Sequence, residues 1–221
     1  MMKSKISISI ILILLILISS SINNLYSQGS EETTELIYSL AQSGLEKNIG
    51  IIPKSNIKNF GFNYRNDLND IELGNPIRTF TFNKAFYADS ILEDRNYIYA
   101  IDEYRVPLIV DDTIRSFLLV GKMNTEWKIV GIGGSLLAIK IMQCVEKNQL
   151  DMVQSIRLLR EPLSHSDYLI TDFESETNEM ILFPVISSLN SFNHVLPEKG
   201  MTEMEILPLI HRNYVSNKQT Y

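Results

Sequence analysis

The three histidines have the most versatile side-chain chemistry in this chain, and their spacing limits what they could do. His165, His194 and His211 lie far apart in the sequence, so the short histidine pairs that hold zinc are absent. The turn His165-Ser166-Asp167 could orient a catalytic imidazole, but no Gly-x-Ser-x-Gly segment supplies a nucleophile. We therefore predict no metal and no catalytic residues. A hydrolase that uses His165 with nearby carboxylates remains an alternative.

Two other segments resemble reactive sites and are interpreted as scaffold. Gly131-Ile132-Gly133-Gly134 lies between a predicted strand and a predicted helix, where a dinucleotide fingerprint would lie, but Leu136 replaces its third glycine. The glycines are interpreted as a sharp corner, and no cofactor is expected. Cys144 is the only cysteine, so no internal disulfide can form. It lies on the apolar side of its predicted helix and is interpreted as a core residue.

Carboxylates and tyrosines are interleaved between residues 87 and 104. Tyrosine offers a large contact area with a polar end, which suits recognition of a protein or peptide. A solvated loop whose tyrosines pack on a sheet is the first interpretation of this segment, and a recognition surface and a pair of catalytic carboxylates are its alternatives. The predicted partner-binding residues are Tyr97, Tyr99, Tyr104, Glu93 and Asp94.

The first 27 residues are predicted to be a signal peptide, because a short basic start precedes the apolar run 6–18 and a small, polar tail. The run is shorter than the ~20 residues of a membrane-spanning helix. Cleavage is expected after Ser27, with Ser21 as the alternative. The mature chain is expected to be periplasmic or extracellular, and an uncleaved N-terminal membrane anchor is the minor alternative.

The net charge of −6 makes nucleic acid a poor partner, because phosphate binding needs clustered Lys and Arg. The pattern of apolar residues predicts a helix from Ser30 to Asn48, an antiparallel meander from Pro76 to Ile132 and a helix from Ser135 to Lys147. Short strands and a last helix, capped by Thr202 and Glu205 and disturbed by Pro208, follow.

The predicted fold is α+β, with a core over residues 28–150 and a β-rich extension over 151–221 packed on the same core. In outline, a helix followed by a curved meander resembles the cystatin-like and NTF2-like folds. This is a likeness of shape and implies no function.

The meander contains a hairpin whose turn is Asp111-Asp112. A two-residue turn places Ile109 opposite Ile114 and Leu108 opposite Arg115. That register groups Phe117 with Val106, Leu108 and Val110, and it groups Leu118 with Ile109 and Ile114. Both faces are then apolar, so the sheet must be covered on both sides. Helices 30–48 and 134–147 are expected on one face, and the C-terminal third or a partner on the other.

Together these features predict an exported, non-enzymatic binding or inhibitor-type protein with a protein or peptide partner. The first alternative is a small-molecule carrier that uses the concave side of the sheet, which needs an enclosed apolar pocket above ~300 Å³. The second is the hydrolase that uses His165.

Overall fold

The computed structural model describes residues 31–88, 92, 97–150, 156–163, 166–172, 180–186 and 200–218. The fold is α+β, as predicted. Its helices are α1 (31–50), α2 (Lys84–Ala88), α3 (Ser135–Asn148) and α4 (Glu203–Lys218), with 3₁₀ helices at Lys54–Phe60 and Arg65–Asn69. Its strands are β1 (Glu72–Leu73), β2 (Ile77–Phe82), β3 (Ile98–Val110), β4 (Thr113–Met123), β5 (Glu126–Gly133), β6 (Arg157–Glu161), β7 (Ser166–Asp172), β8 (Met180–Ile186) and β9 (Met201–Thr202).

The strands of the described residues form one sheet in the order β5-β4-β3-β2-β6-β7-β8-β9, with β1 paired to β3. The predicted meander is β2 to β5, and its neighbours are antiparallel. β6 then pairs with β2 in parallel. Strands of the C-terminal third therefore extend the sheet of the meander, because a crossover through α3 brings β6 to its free edge.

The hairpin turn between β3 and β4 is the two-residue turn that the sequence predicts. Asp111 and Asp112 both have positive φ, 50° and 55°. Ile109 pairs with Ile114 as predicted, but the predicted pairing of Leu108 with Arg115 is wrong. Leu108 pairs with Ser116, because Arg115 is the extra residue of a β-bulge.

The bulge reverses the predicted grouping of the β4 side chains. Leu118 shares an apolar cluster with Val106 and Leu108, and Phe117 shares another with Ile114. An extra residue moves every later side chain of a strand to the other face. Both faces are nevertheless apolar, as the sequence indicates.

The two faces of the meander are covered by different helices, so the expectation that one face receives both is wrong. Ile37 and Ala41 of α1 pack in the cluster that contains Leu118. Ile141 and Cys144 of α3 pack in the cluster that contains Phe117. Since Phe117 and Leu118 are consecutive strand residues, α1 and α3 lie on opposite faces.

The C-terminal helix covers a third apolar cluster. Ile206 and Ile210 of α4 pack there with Leu159, whereas the preceding Leu158 packs in the cluster under α3. The backbone N–H of Thr202 donates to Glu205 Oε2 at 2.9 Å, and the Thr202 hydroxyl donates to the same oxygen at 3.1 Å. These contacts form the Glu205 half of the predicted cap of α4. The predicted disturbance at Pro208, a kink or an interruption, is not an interruption, because the helix continues through Pro208 to Lys218.

The strand-to-helix corner explains the glycine cluster. β5 ends at Gly133, and Gly134, at the N-cap of α3, has a left-handed φ of 84°. A residue with a Cβ is strained in this conformation. The corner directs α3 back across the sheet and buries Cys144.

Burial raises the pKa of the Cys144 thiol. We expect this thiol to react with a disulfide reagent far more slowly in the folded protein than in denaturant. Each unit of raised pKa lowers the thiolate fraction about tenfold, and burial hinders the reagent as well. Absorbance after addition of an aromatic disulfide measures both rates. Equal rates would contradict the burial of this side chain.

Candidate functional site

A cleft of about 410 Å³ lies between the 3₁₀ helix Lys54–Phe60, the start of β4 and the outer side of α3. Phe62 and Ile114 give it an apolar floor, and both are buried. Its remaining lining residues are Lys58, Gly61, Asn63, Thr113, Arg115, Ile139, Met142, Gln143 and Glu146. The cleft thus joins an apolar base to a polar and charged rim, which is the usual composition of a binding site.

Gly61 fixes the wall formed by the 3₁₀ helix. Its φ is 88°, and its N–H donates to the carbonyl of Lys58 at 3.0 Å. A Cβ at this position would collide with the carbonyl oxygen of Arg115. Across the cleft, the Ser135 hydroxyl donates to the carbonyl of Asn59 at 2.8 Å. These contacts hold the 3₁₀ helix against both β4 and α3.

The wall formed by α3 carries exposed apolar side chains. Ile139 lines the cleft and is 50% exposed, and Leu136 is 61% exposed. The two are three residues apart on the helix and therefore lie on the same side. The apolar surface of the cleft continues onto the outside of the protein, where a partner could cover it.

Three charged side chains line the cleft. Lys58 and Arg115 are cationic and Glu146 is anionic. Within the part of the chain that the structure describes, none of the three forms an ion pair. The Nε of Arg115 is buried and has no hydrogen-bond partner there. Two cations and one carboxylate without ion-pair partners among the described residues thus line the same cleft.

Of the predicted partner-binding residues that the structure describes, one is exposed and two are buried. Tyr99 is 48% exposed, but Tyr97 and Tyr104 are buried in different apolar clusters. The Tyr104 ring packs edge-on against Trp127, with centroids 5.4 Å apart. Glu93 and Asp94 lie outside the described residues, as does His165.

An ionic cluster joins four strands on the α3 side of the sheet. Glu103 Oε1 accepts from Arg105 Nη2 at 3.1 Å and from the Thr79 hydroxyl at 3.4 Å, and it lies 3.8 Å from Arg160 Nη1. Arg160 Nε donates to Asp167 Oδ1 at 3.1 Å. Buried charges must be paired, so this cluster is read as scaffold that joins β3, β2, β6 and β7.

Burial raises the pKa of the Asp167 carboxyl, and this effect outweighs the opposite effect of Arg160 and Arg105. A carboxyl with a raised pKa in the folded state binds protons more tightly there than in the unfolded chain. Its contribution to stability is therefore present at low pH and is lost as the pH rises through the raised pKa.

We expect the stability of the wild type relative to Asp167→Asn to fall as the pH rises above about 4, and then to level off. Urea unfolding of both proteins from pH about 4 to 7 measures the difference. A difference that grows with pH would show that the ion pair with Arg160 prevails over burial.

A second buried network lies beside α4. The Tyr87 hydroxyl donates to Glu161 Oε1 at 2.8 Å, and the N–H of Leu163 donates to the same oxygen at 3.0 Å. Burial, together with this hydrogen bond, raises the pKa of Tyr87. His211 is buried and lies edge-on to Phe86, 5.5 Å between ring centroids. None of these contacts places a nucleophile beside a base.

Comparison with known families, curated proteins and solved structures found no match. In the described ranges, no group of three or more histidine, cysteine, aspartate or glutamate side chains is arranged to hold a metal ion. No helix among those residues has the length and apolar character to cross a membrane.

Proposed function

We propose that this protein is a non-enzymatic binding protein that holds a segment of a protein or peptide partner in the cleft between the 3₁₀ helix and α3. The observation that carries the proposal is the apolar floor at Phe62 and Ile114 beside the half-exposed Ile139. The exposed Leu136 lies three residues before Ile139 on the same side of α3. A half-exposed apolar rim next to a preformed cleft supports a partner larger than the cleft itself.

The geometry favours a peptide segment over an enclosed ligand. The cleft is open to solvent and the Ile139 side chain in its lining is half exposed, so a side chain of a partner can enter while its main chain remains on the surface. The polar rim, which includes Asn63, offers hydrogen bonds to such a main chain. An inhibitor-type role fits the same surface.

A small molecule is the second candidate, and the volume of the cleft supports it. About 410 Å³ lies within the range of small-molecule sites, ~300–1,000 Å³. It is a surface cleft, however, and not the enclosed sheet concavity that the carrier hypothesis requires.

Selection from a displayed random-peptide library on the immobilised protein tests the proposal. We expect peptides that bind the wild type and lose affinity for Ile139→Asp, but not for Leu163→Asp. Leu163 is similarly exposed and lies outside the cleft lining. The proposal is overturned if the selected peptides bind both variants as tightly as the wild type, or if no peptide is selected. Saturable binding of a small fluorescent apolar probe that no peptide displaces would favour the second candidate.

We also propose that the protein acts outside the cytoplasm, and the basic start, apolar run and polar tail of residues 1–27 support this. We expect the protein produced in a secreting bacterium to begin at Gln28, and the intact mass measures this. A chain that begins at Ile22 would support the alternative cleavage site. A full-length mass in the membrane fraction would support an uncleaved anchor.

A further inference from the structure

We infer that the segment bound in the cleft carries a carboxylate next to an apolar side chain. This inference rests on the proposed function and names the chemistry of its partner. The first observation is the charge of the cleft. Two cations and one carboxylate line it, although the net charge of the whole chain is −6. An excess of positive charge in an acidic protein is a local feature of this cleft.

Arg115 is the main argument. As the extra residue of the bulge in β4, it has no partner across the β3–β4 pairing. Its side chain lines the cleft, and its buried Nε has no hydrogen-bond partner among the described residues. Buried donors are usually satisfied. Arg78 and Arg105 also have a buried Nε without a hydrogen-bond partner among the described residues, but of these three arginines only Arg115 lines the cleft. A carboxylate is the acceptor that best fits the planar fork of a guanidinium.

With Lys58 and Glu146 counted beside Arg115, the charged side chains of the cleft lining have a net positive charge. Lys58 adds a second cation without an ion-pair partner among the described residues, and Glu146 is the carboxylate in the cleft lining that opposes both. Another polar rim residue is already engaged, because Lys140 Nζ donates to Gln143 Oε1 at 3.2 Å. The apolar floor at Phe62 and Ile114 would take the neighbouring side chain of the partner.

The test uses synthetic fluorescein-labelled peptide pools with random flanks around a fixed Leu-Glu, Leu-Gln or Leu-Lys pair. Fluorescence anisotropy measures their binding to the wild type, Arg115→Gln and Glu146→Gln. We expect the Leu-Glu pool to bind the wild type about tenfold more tightly than the Leu-Gln pool, as for a hydrogen bond to a charged group. The ratio of the affinity for the Leu-Glu pool to the affinity for the Leu-Gln pool should approach one in Arg115→Gln and increase in Glu146→Gln.

Arg115→Lys keeps the charge and should retain part of the preference, which separates the charge from the fork geometry. Equal binding of the Leu-Glu and Leu-Gln pools, both weakened by Ile139→Asp, would overturn the inference and leave the proposed function standing. Binding of the pools that Ile139→Asp does not weaken would overturn the proposed function itself.

Discussion

Replacing Glu103 with leucine is expected to lower the free energy of unfolding by about 3 kcal/mol. One oxygen of Glu103 serves Arg105, Thr79 and Arg160, which lie on three strands. The Arg105 side chain is only 5% exposed, so its charge would lose its ion-pair partner while it stays buried. The expected loss lies at the lower end of the range for buried pairs because Glu103 itself is 26% exposed.

The matched control is the double substitution Glu103→Leu with Arg105→Met. It removes the buried charge together with its partner, so we expect it to recover most of the lost stability. Urea unfolding followed by circular dichroism measures the wild type and the variants. If Glu103→Leu alone matched the wild type, the buried guanidinium would not depend on this carboxylate.

Substitution of Ile139 by aspartate is expected to weaken binding of cleft-selected peptides about 30-fold or more, the loss that is typical of an interface hot spot. The half-exposed Ile139 side chain would be buried by a partner, and a carboxylate there would have to be desolvated. It would also lie on the same helix as Glu146, the anion already present in the cleft.

The stability of the free protein should change little with Ile139→Asp, because exposed substitutions usually have small effects. Isothermal titration calorimetry gives the affinity, and urea unfolding of the same sample shows whether the fold is intact. Leu163→Asp is the control for an exposed apolar residue outside the cleft. A similar loss of affinity in both variants would place the binding surface elsewhere.

The order of the elements from β2 to β5 and α3 could be predicted, because the sequence patterns that indicate them are local. Alternating apolar residues, the Asp111-Asp112 turn and the glycine corner each act over a few neighbours. The bulge at Arg115 could not be predicted, because it depends on how β4 pairs with β3. The residue types alone do not show whether Arg115 or Ser116 is the extra residue of the strand. That single residue decides which side chains of β4 face α3.

The tyrosine pattern shows a different limit. Tyr97 and Tyr104 are amphipathic and can be buried or exposed, and only the three-dimensional packing decides which. The cleft was missed for a related reason. The local signal near it is Gly61, which marks only the end of the 3₁₀ helix. Its proximity to Arg115 and Ile139 is a tertiary contact between segments distant in sequence.

Hydrogen exchange in the presence and absence of a selected peptide tests most directly whether the cleft is the binding site. We expect the bound peptide to slow exchange of amides in residues 58–63, 113–115 and 139–146, which line the cleft or connect its lining. Protection confined to residues 97–104, around the exposed Tyr99, would contradict the cleft as the site and would return the binding surface to the tyrosine segment.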